Sequence, residues 1–235
     1  DKESAEAAEF YRPPEGAPEL IYLKEKRQKL GGYIPNRTLS CPSLIIPELE
    51  RFGNFLDSSK EREMSTTGIM VRLLASLLKL TEVQRYIVPI VPDEARTFGM
   101  EGLFHAAGIY SPQGQLYQSL DGDSLMPYRE AEDGQILQEG ITEVGAIASF
   151  MAAGSAYSVH GLPMIPFYFF YSMFGMQRVG DMIWSCGDMM CKGFLLGGTA
   201  GRTTLNGEGL QHQDGHSHIL ASTVPNLKSY DPSFG

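Results

Sequence analysis

Residues 164–170 read MIPFYFF, and this run limits the fold more than any other feature of the chain. A strand with one wet face alternates apolar and polar side chains, because successive residues point to opposite faces. MIPFYFF does not alternate, so both of its faces are expected to be covered. YIVPIV (86–91) has the same character, and FLLGGTA (194–200) opens in the same way. Strands buried on both sides belong to parallel sheets, whose crossover connections lay helices over each face.

The intervening segments supply those helices. Ser65 and Thr66 precede Ile69, Met70, Leu73, Leu74, Leu77 and Leu78, a capped helix with one apolar stripe. Residues 42–57 also place apolar side chains at helical spacing (Leu44, Ile45, Leu49, Phe52, Phe55, Leu56). DEARTFGMEGLFHAAG (93–108) leads from the first strand into a helix. Glu139–Tyr157 reads as a helix rich in alanine and fit for close packing, and Tyr171–Met190 as another. QIL (135–137) is a minimal strand, and NLKSYDP (226–232) reads as a last one. The expected architecture is α/β: a mostly parallel sheet with helices on both faces, preceded by a polar N-terminal arm. The arm spans 1–40, with Pro13, Pro14, Pro18, Pro35 and a short helix over 19–30. The α/β domain spans 41–235.

Charge and composition exclude several classes. A formal net charge of -9 argues against a nucleic-acid-binding face. Three cysteines (Cys41, Cys186, Cys191) do not make a disulfide framework, and a reducing cytoplasm fits them better. No signal-peptide pattern is read within these residues, and the most apolar window, 162–174, is expected to be too short to span a membrane. The chain opens on Asp1 rather than Met and stops at SYDPSFG, so it is read as a piece of a longer polypeptide.

In sheets of this kind, ligands bind beyond the carboxyl ends of the strands. The polar motifs fall there: Asp93-Glu94, the segment Glu139 to Glu143, the segment Tyr171 to Phe174, and GRTTLNGEGLQHQDGHSH (201–218). The last of these sets Glu208, His212, Asp214, His216 and His218 within eleven positions. It is too polar to be core. One reading is a metal-binding or metallohydrolase module with His212, His216 and His218 as ligands, although Gly207, Gly209 and Gly215 interrupt the regular structure such ligands favour. The other reading is an acid–base loop at a strand end. Glu139 and Glu143, four positions apart on one expected helix, share a face, and either could be a working carboxylate. Glu143 runs into Val144, Ala146, Ile147 and Ala148, a setting in which a carboxylate tends to acquire a partner. Tyr171 and Phe174 read as core aromatics by default, but their place after the strand end also allows them to line a cleft and stack on a planar ligand. The polar loop 110–134 is long enough to be functional. Gly187-Asp188 lacks the rest of a diphosphate–metal motif and is read as chance.

DEARTFGMEGLF (93–104), GQILQEGITEVGA (134–146), LPMIPFYFFYSMFGMQRVGD (162–181) and GGTAGRTTLNGEGLQHQDGHSH (197–218) resemble bacterial homodimeric pyruvate dehydrogenase, the decarboxylating component of the pyruvate dehydrogenase complex. The similarity runs from about residue 21 to the end and looks like the middle, pyrimidine-binding domain. It implies a thiamine diphosphate-binding fold and thiamine diphosphate chemistry on pyruvate, with the acetyl group passed to a lipoyl carrier. It selects Glu143, not Glu139, as the glutamate that bonds the pyrimidine ring nitrogen. Ile141 would hold the cofactor bent, and Phe174 would stack on the pyrimidine. Tyr171 and His212 would face pyruvate, with Asp93 and Glu94 supporting the cofactor and the dimer site. Glu208 would order the loop that carries His212, whereas His216 and His218 receive no role. The magnesium and diphosphate ligands would belong to an amino-terminal domain outside this sequence. The implied partners are a second subunit of a homodimer and a lipoyl-bearing acetyltransferase component. The isolated stretch is expected to be inactive.

Overall fold

A computed structural model describes residues 6–7, 10, 12–32, 38–93, 95–118, 120, 128–198 and 212–235. The chain divides into two compact units, Asp1–Leu39 and Ser40–Gly235. In the first, helix α1 (Pro18–Lys29) starts on Pro18, where a missing N–H leaves no bond unmade. Lys26, Arg27 and Lys29 fill its last turn, where positive charge opposes the helix dipole, and none of its residues is buried.

The second unit runs α2 (Gly53–Leu56), α3 (Thr66–Leu77), β1 (Ile87–Val91), α4 (Glu101–Ala107), β2 (Ile109–Tyr110), β3 (Glu130–Ala131), β4 (Leu137–Gln138), α5 (Glu143–Val159), β5 (Ile165–Tyr171), α6 (Ser172–Asp188), β6 (Phe194–Gly198) and α7 (Ser217–Ala221). Among the described residues, the main sheet has the order β4-β1-β5-β6, and each neighbouring pair is parallel. β2 and β3 form a separate parallel pair.

Two cores explain the unalternating apolar runs. Ile87, Val91, Phe167 and Phe169 pack to one side of the sheet with Leu74 of α3 and with Leu103 and Phe104 of α4. Ile90, Tyr168 and Phe170 pack to the other, against Ala146, Ile147 and Phe150 of α5 and Val179 and Ile183 of α6. Burying each large apolar side chain is worth about 2 kcal/mol, so a strand in this position gains from apolar residues at every place. The result is the α/β fold expected from the sequence, a parallel sheet with helices on both faces. The small residues of α5 let it lie close to its neighbours. A Cβ on Gly154 would stand 2.9 Å from the Lys192 carbonyl oxygen.

Several boundaries differ from the sequence reading. Residues 42–48 have no regular structure; a 3₁₀ turn covers Leu49–Phe52, and only the four residues of α2 are α-helical. Pro47 is the cause, since it lacks an N–H and pushes the residue before it towards extended geometry. The helix after β1 begins at Glu101 rather than near Asp93. Residues 226–232 do not form a strand. Residues 228–235 are exposed and only Leu227 of NLKSYDP packs on the core, so the segment lacks the apolar face of a strand, and Pro232 could not donate to a ladder. The helix expected from Glu139 begins instead at Glu143, with Thr142 as its cap. Gly140 precedes it at a φ of 85°, a left-handed conformation that ends any regular run. Glu139 and Glu143 therefore do not share a helix face.

Candidate active site

Because the main sheet is parallel, the carboxyl ends of its strands lie along one edge. Val91 is in register with Gln138 and Tyr171 with Gly198, and Ile90 pairs with Tyr168, so β5 and β6 run two residues further along this edge than β1 and β4. The loop after β4 is tied to the end of β1: the Glu139 N–H donates to the Val91 carbonyl at 3.0 Å and the Gly140 N–H to the Pro92 carbonyl at 2.9 Å. Thr142 Oγ1 then accepts from the Gly145 N–H at 3.1 Å, which starts α5 and sets Glu143 as its first residue on this edge. The Glu139 carboxylate turns back and accepts from the Ser149 hydroxyl, which gives it a structural partner.

Glu143 has a partner of its own. Arg178 Nη1 donates to Glu143 Oε1 at 3.0 Å, and the glutamate side chain keeps only 15% exposure. The same guanidinium lies over the Phe174 ring, 3.9 Å from its centroid. Phe174 and Arg178 are one turn apart on α6, which places them on one face. The helix departs from regular geometry at Val179 (φ -128°, ψ 23°), directly after Arg178. The Tyr168 hydroxyl donates to the Glu143 carbonyl at 3.4 Å. Burial first, and the Glu143 charge second, push the Tyr168 phenol above its ordinary range, so it remains a donor.

His212 completes this cluster. Its ring centroid lies 5.0 Å from that of Tyr171 and 5.5 Å from that of Phe174, edge to face in both cases. Tyr171 is backed by Phe98 at 5.5 Å. Beyond His212, Asp214 Oδ1 accepts from the N–H groups of His216 (2.9 Å) and Ser217 (3.1 Å). The Ser217 hydroxyl donates to the Ser172 carbonyl at 3.2 Å. Burial works against ionisation of Asp214, but the donors of Ser217 and His216 together outweigh it and hold its carboxyl below the usual range.

Asp93 and Ile141 stand at a neighbouring place on the same edge. They line an open cavity of about 270 Å³, together with Arg96, Thr97, Tyr128 and Gln138. Ile141 is 84% exposed, a large apolar side chain held in the open two residues before Glu143. Tyr128 enters from the end of the loop 110–134. Its phenol is pushed up to about 12 by burial and then by the charge of Glu130.

The structure thus joins Glu143, Phe174, Tyr171 and His212 through direct contacts and sets Asp93 and Ile141 beside them. Glu94 and Glu208 lie outside the described residues. Among the described residues, no group of three histidine, cysteine or acidic side chains could hold a metal ion, so the metallohydrolase reading of His212, His216 and His218 has no support. Sequence reasoning missed Arg178, although its position one turn after Phe174 was a usable signal. It also missed Tyr128, in a segment that read as loop, and Arg96, in a segment that read as the lead into a helix, as residues of the cavity.

Comparison with known proteins gives the fold and the family. The fold is that of transketolase: the enzyme from Campylobacter jejuni superposes with a TM-score of 0.50 at 17% identity, over 86% of this chain and 24% of that one. The class is therefore a transketolase-like α/β domain with its polar cluster at the carboxyl edge of a parallel sheet. Residues 44–235 match the family model described as pyruvate dehydrogenase E1 component middle domain, and the chain belongs to this family. Relatives named pyruvate dehydrogenase E1 component are 58% identical in Pseudomonas aeruginosa (96% of this chain, 26% of that protein), 55% in Escherichia coli K12 (94% and 25%) and 51% in Corynebacterium glutamicum (96% and 24%). The chain spans about a quarter of the length of these relatives. No helix among the described residues is long and apolar enough to cross a membrane.

Proposed function

We propose that residues 41–235 are the pyrimidine-binding part of a thiamine diphosphate-dependent pyruvate dehydrogenase that decarboxylates pyruvate and passes the acetyl group to a lipoyl carrier. The observation that carries this reading is the contact chain Glu143–Arg178–Phe174, with Tyr171 and His212 beside it, on the sheet edge where such folds bind ligands. Family membership supports it, since the relatives are named as pyruvate dehydrogenase E1 components.

The residues fit the cofactor. A half-shielded carboxylate and an aromatic face suit a planar heteroaromatic ring that carries a ring N–H. Glu143 uses one oxygen for Arg178 and keeps the other to accept from that ring. Phe174 offers a stacking surface. Ile141 projects from the edge as an uncovered apolar wedge for a bent cofactor. When bound, thiamine diphosphate supplies the carbon nucleophile that attacks the ketone of a 2-oxo acid and stores the electrons released as carbon dioxide leaves.

The protein groups around it hold and orient. His212 and the Tyr171 hydroxyl are the donors for the carboxylate or the developing oxyanion of pyruvate. Asp93 and Glu94 support the cofactor and the subunit contact, and Glu208 supports the segment of His212. The diphosphate and its magnesium ion are held by residues beyond this stretch. Residues 1–40 serve as an arm, and a second subunit and a lipoyl-bearing acetyltransferase are the partners. In the full-length protein, carbon dioxide release from pyruvate should require both thiamine diphosphate and magnesium. No pyruvate-dependent release with both at saturation would overturn the reading.

A further inference from the structure

The segment from His212 to Ser217 is strapped across the junction of β5 and α6 at two points. At one end the His212 ring packs on Tyr171 and Phe174. At the other the Ser217 hydroxyl bonds the Ser172 carbonyl. Both anchors fall within residues 171–174, the last residue of β5 and the first turn of α6. The turn that joins them is closed by one carboxylate oxygen, Asp214 Oδ1, which accepts from two successive N–H groups.

We propose that Asp214 is a positioning residue that fixes His212 against Tyr171. The proposal rests on the reading of His212 as a substrate-facing group. α7 has only five residues and cannot hold its own start. The N–H groups of His216 and Ser217 have no earlier turn of helix to bond, and here a side chain is their acceptor. Asp214 provides it from two positions after His212, which leaves the backbone between them little freedom. Ser217, the first residue of α7, carries the constraint on to Ser172 and so to the strand end that bears Tyr171. The described bonds of Asp214 go to His216 and Ser217, not to Glu143. Its effect should therefore reach the substrate through His212 and leave cofactor binding alone.

A double-mutant cycle in the full-length enzyme tests this. His212→Ala should lower kcat about 100-fold, the usual scale for losing a positioned acid or base. Asp214→Ala should lower kcat by about 10-fold or more, since small misplacement of a catalytic group is costly. Asp214→Asn keeps an oxygen that can accept both N–H bonds and should recover most of that loss. Thiamine diphosphate affinity should stay within about twofold in all variants. In the His212→Ala background, Asp214→Ala should add less than about threefold, because residues acting through one another are not additive. A full, independent loss in that background overturns the proposal while leaving His212 in place. A large loss of cofactor affinity in Asp214→Ala that Asn does not rescue also overturns it, as general damage. If His212→Ala is as active as the native enzyme, the reading of His212 fails and the proposal falls with it.

Discussion

Arg178 donates to Glu143 Oε1 at 3.0 Å across the gap between two helices, and its guanidinium caps the ring of Phe174 at 3.9 Å. One cation therefore sets the orientation of both the carboxylate and the aromatic ring assigned to the pyrimidine. Arg178 is itself 51% exposed, so the ion pair adds little to stability, on the order of 1 kcal/mol or less. Its role is geometric. Arg178→Ala in the full-length enzyme should shift the melting temperature by only a few degrees, yet lower kcat by about 10- to 100-fold as Glu143 loses its fixed position. Arg178→Lys keeps the charge but loses the planar fork and the stacking surface, and should fall between the two. Kinetics and a thermal melt on both variants check this.

Ile141 separates function from stability more cleanly. It is 84% exposed, so it contributes almost nothing to the core. Ile141→Ala should change stability by less than about 0.5 kcal/mol, the usual range for a surface position. If the side chain is the wedge that holds the cofactor bent, turnover should fall by about 10-fold or more, because reacting groups must be held close and aligned. Equal losses of stability and turnover would instead mark Ile141 as part of an interface.

The sheet was legible in the sequence because its strands are buried on both faces, and the absence of alternation in MIPFYFF carries that information directly. The cap at Ser65 was equally readable, and its hydroxyl accepts from the Gly68 N–H at 3.0 Å. NLKSYDP and residues 42–57 misled for one reason: apolar spacing says nothing about whether a covering surface exists, and Pro47 and Pro232 outweigh it locally. At the site, Phe174, Tyr171 and Glu143 were singled out from strand-end position and family resemblance. The Glu143–Arg178 pair was not, because the partners are 35 positions apart and only the packing of α5 on α6 brings them together. β2, at the start of the loop 110–134, and β3, within it, were hidden, since two residues each carry no periodicity.

Asp214 gives a pH dependence with a definite sign. Its carboxyl is held below its ordinary value, because the donors of Ser217 and His216 outweigh the opposing effect of burial. A group depressed in the folded state stabilises above its unfolded pKa and loses that contribution as pH falls through the folded one. The melting-temperature difference between the native protein and Asp214→Asn should therefore be constant at neutral pH and shrink below about pH 4. A difference that grows as the medium becomes more acid would contradict the assigned hydrogen bonds.

The central claim is that the Glu143 carboxylate, at the head of α5 and paired with Arg178, is the protein group on which the cofactor depends. The most direct test is steady-state decarboxylation of pyruvate by full-length Glu143→Gln, with thiamine diphosphate and magnesium saturating. Glutamine fills the same space and can still bond Arg178 through its amide oxygen, so the fold should be retained. The account predicts a loss in kcat of about 1,000-fold, within the range for removing a group that moves or holds a proton. Turnover within about threefold of the native enzyme, a difference of less than 1 kcal/mol in barrier, would contradict it.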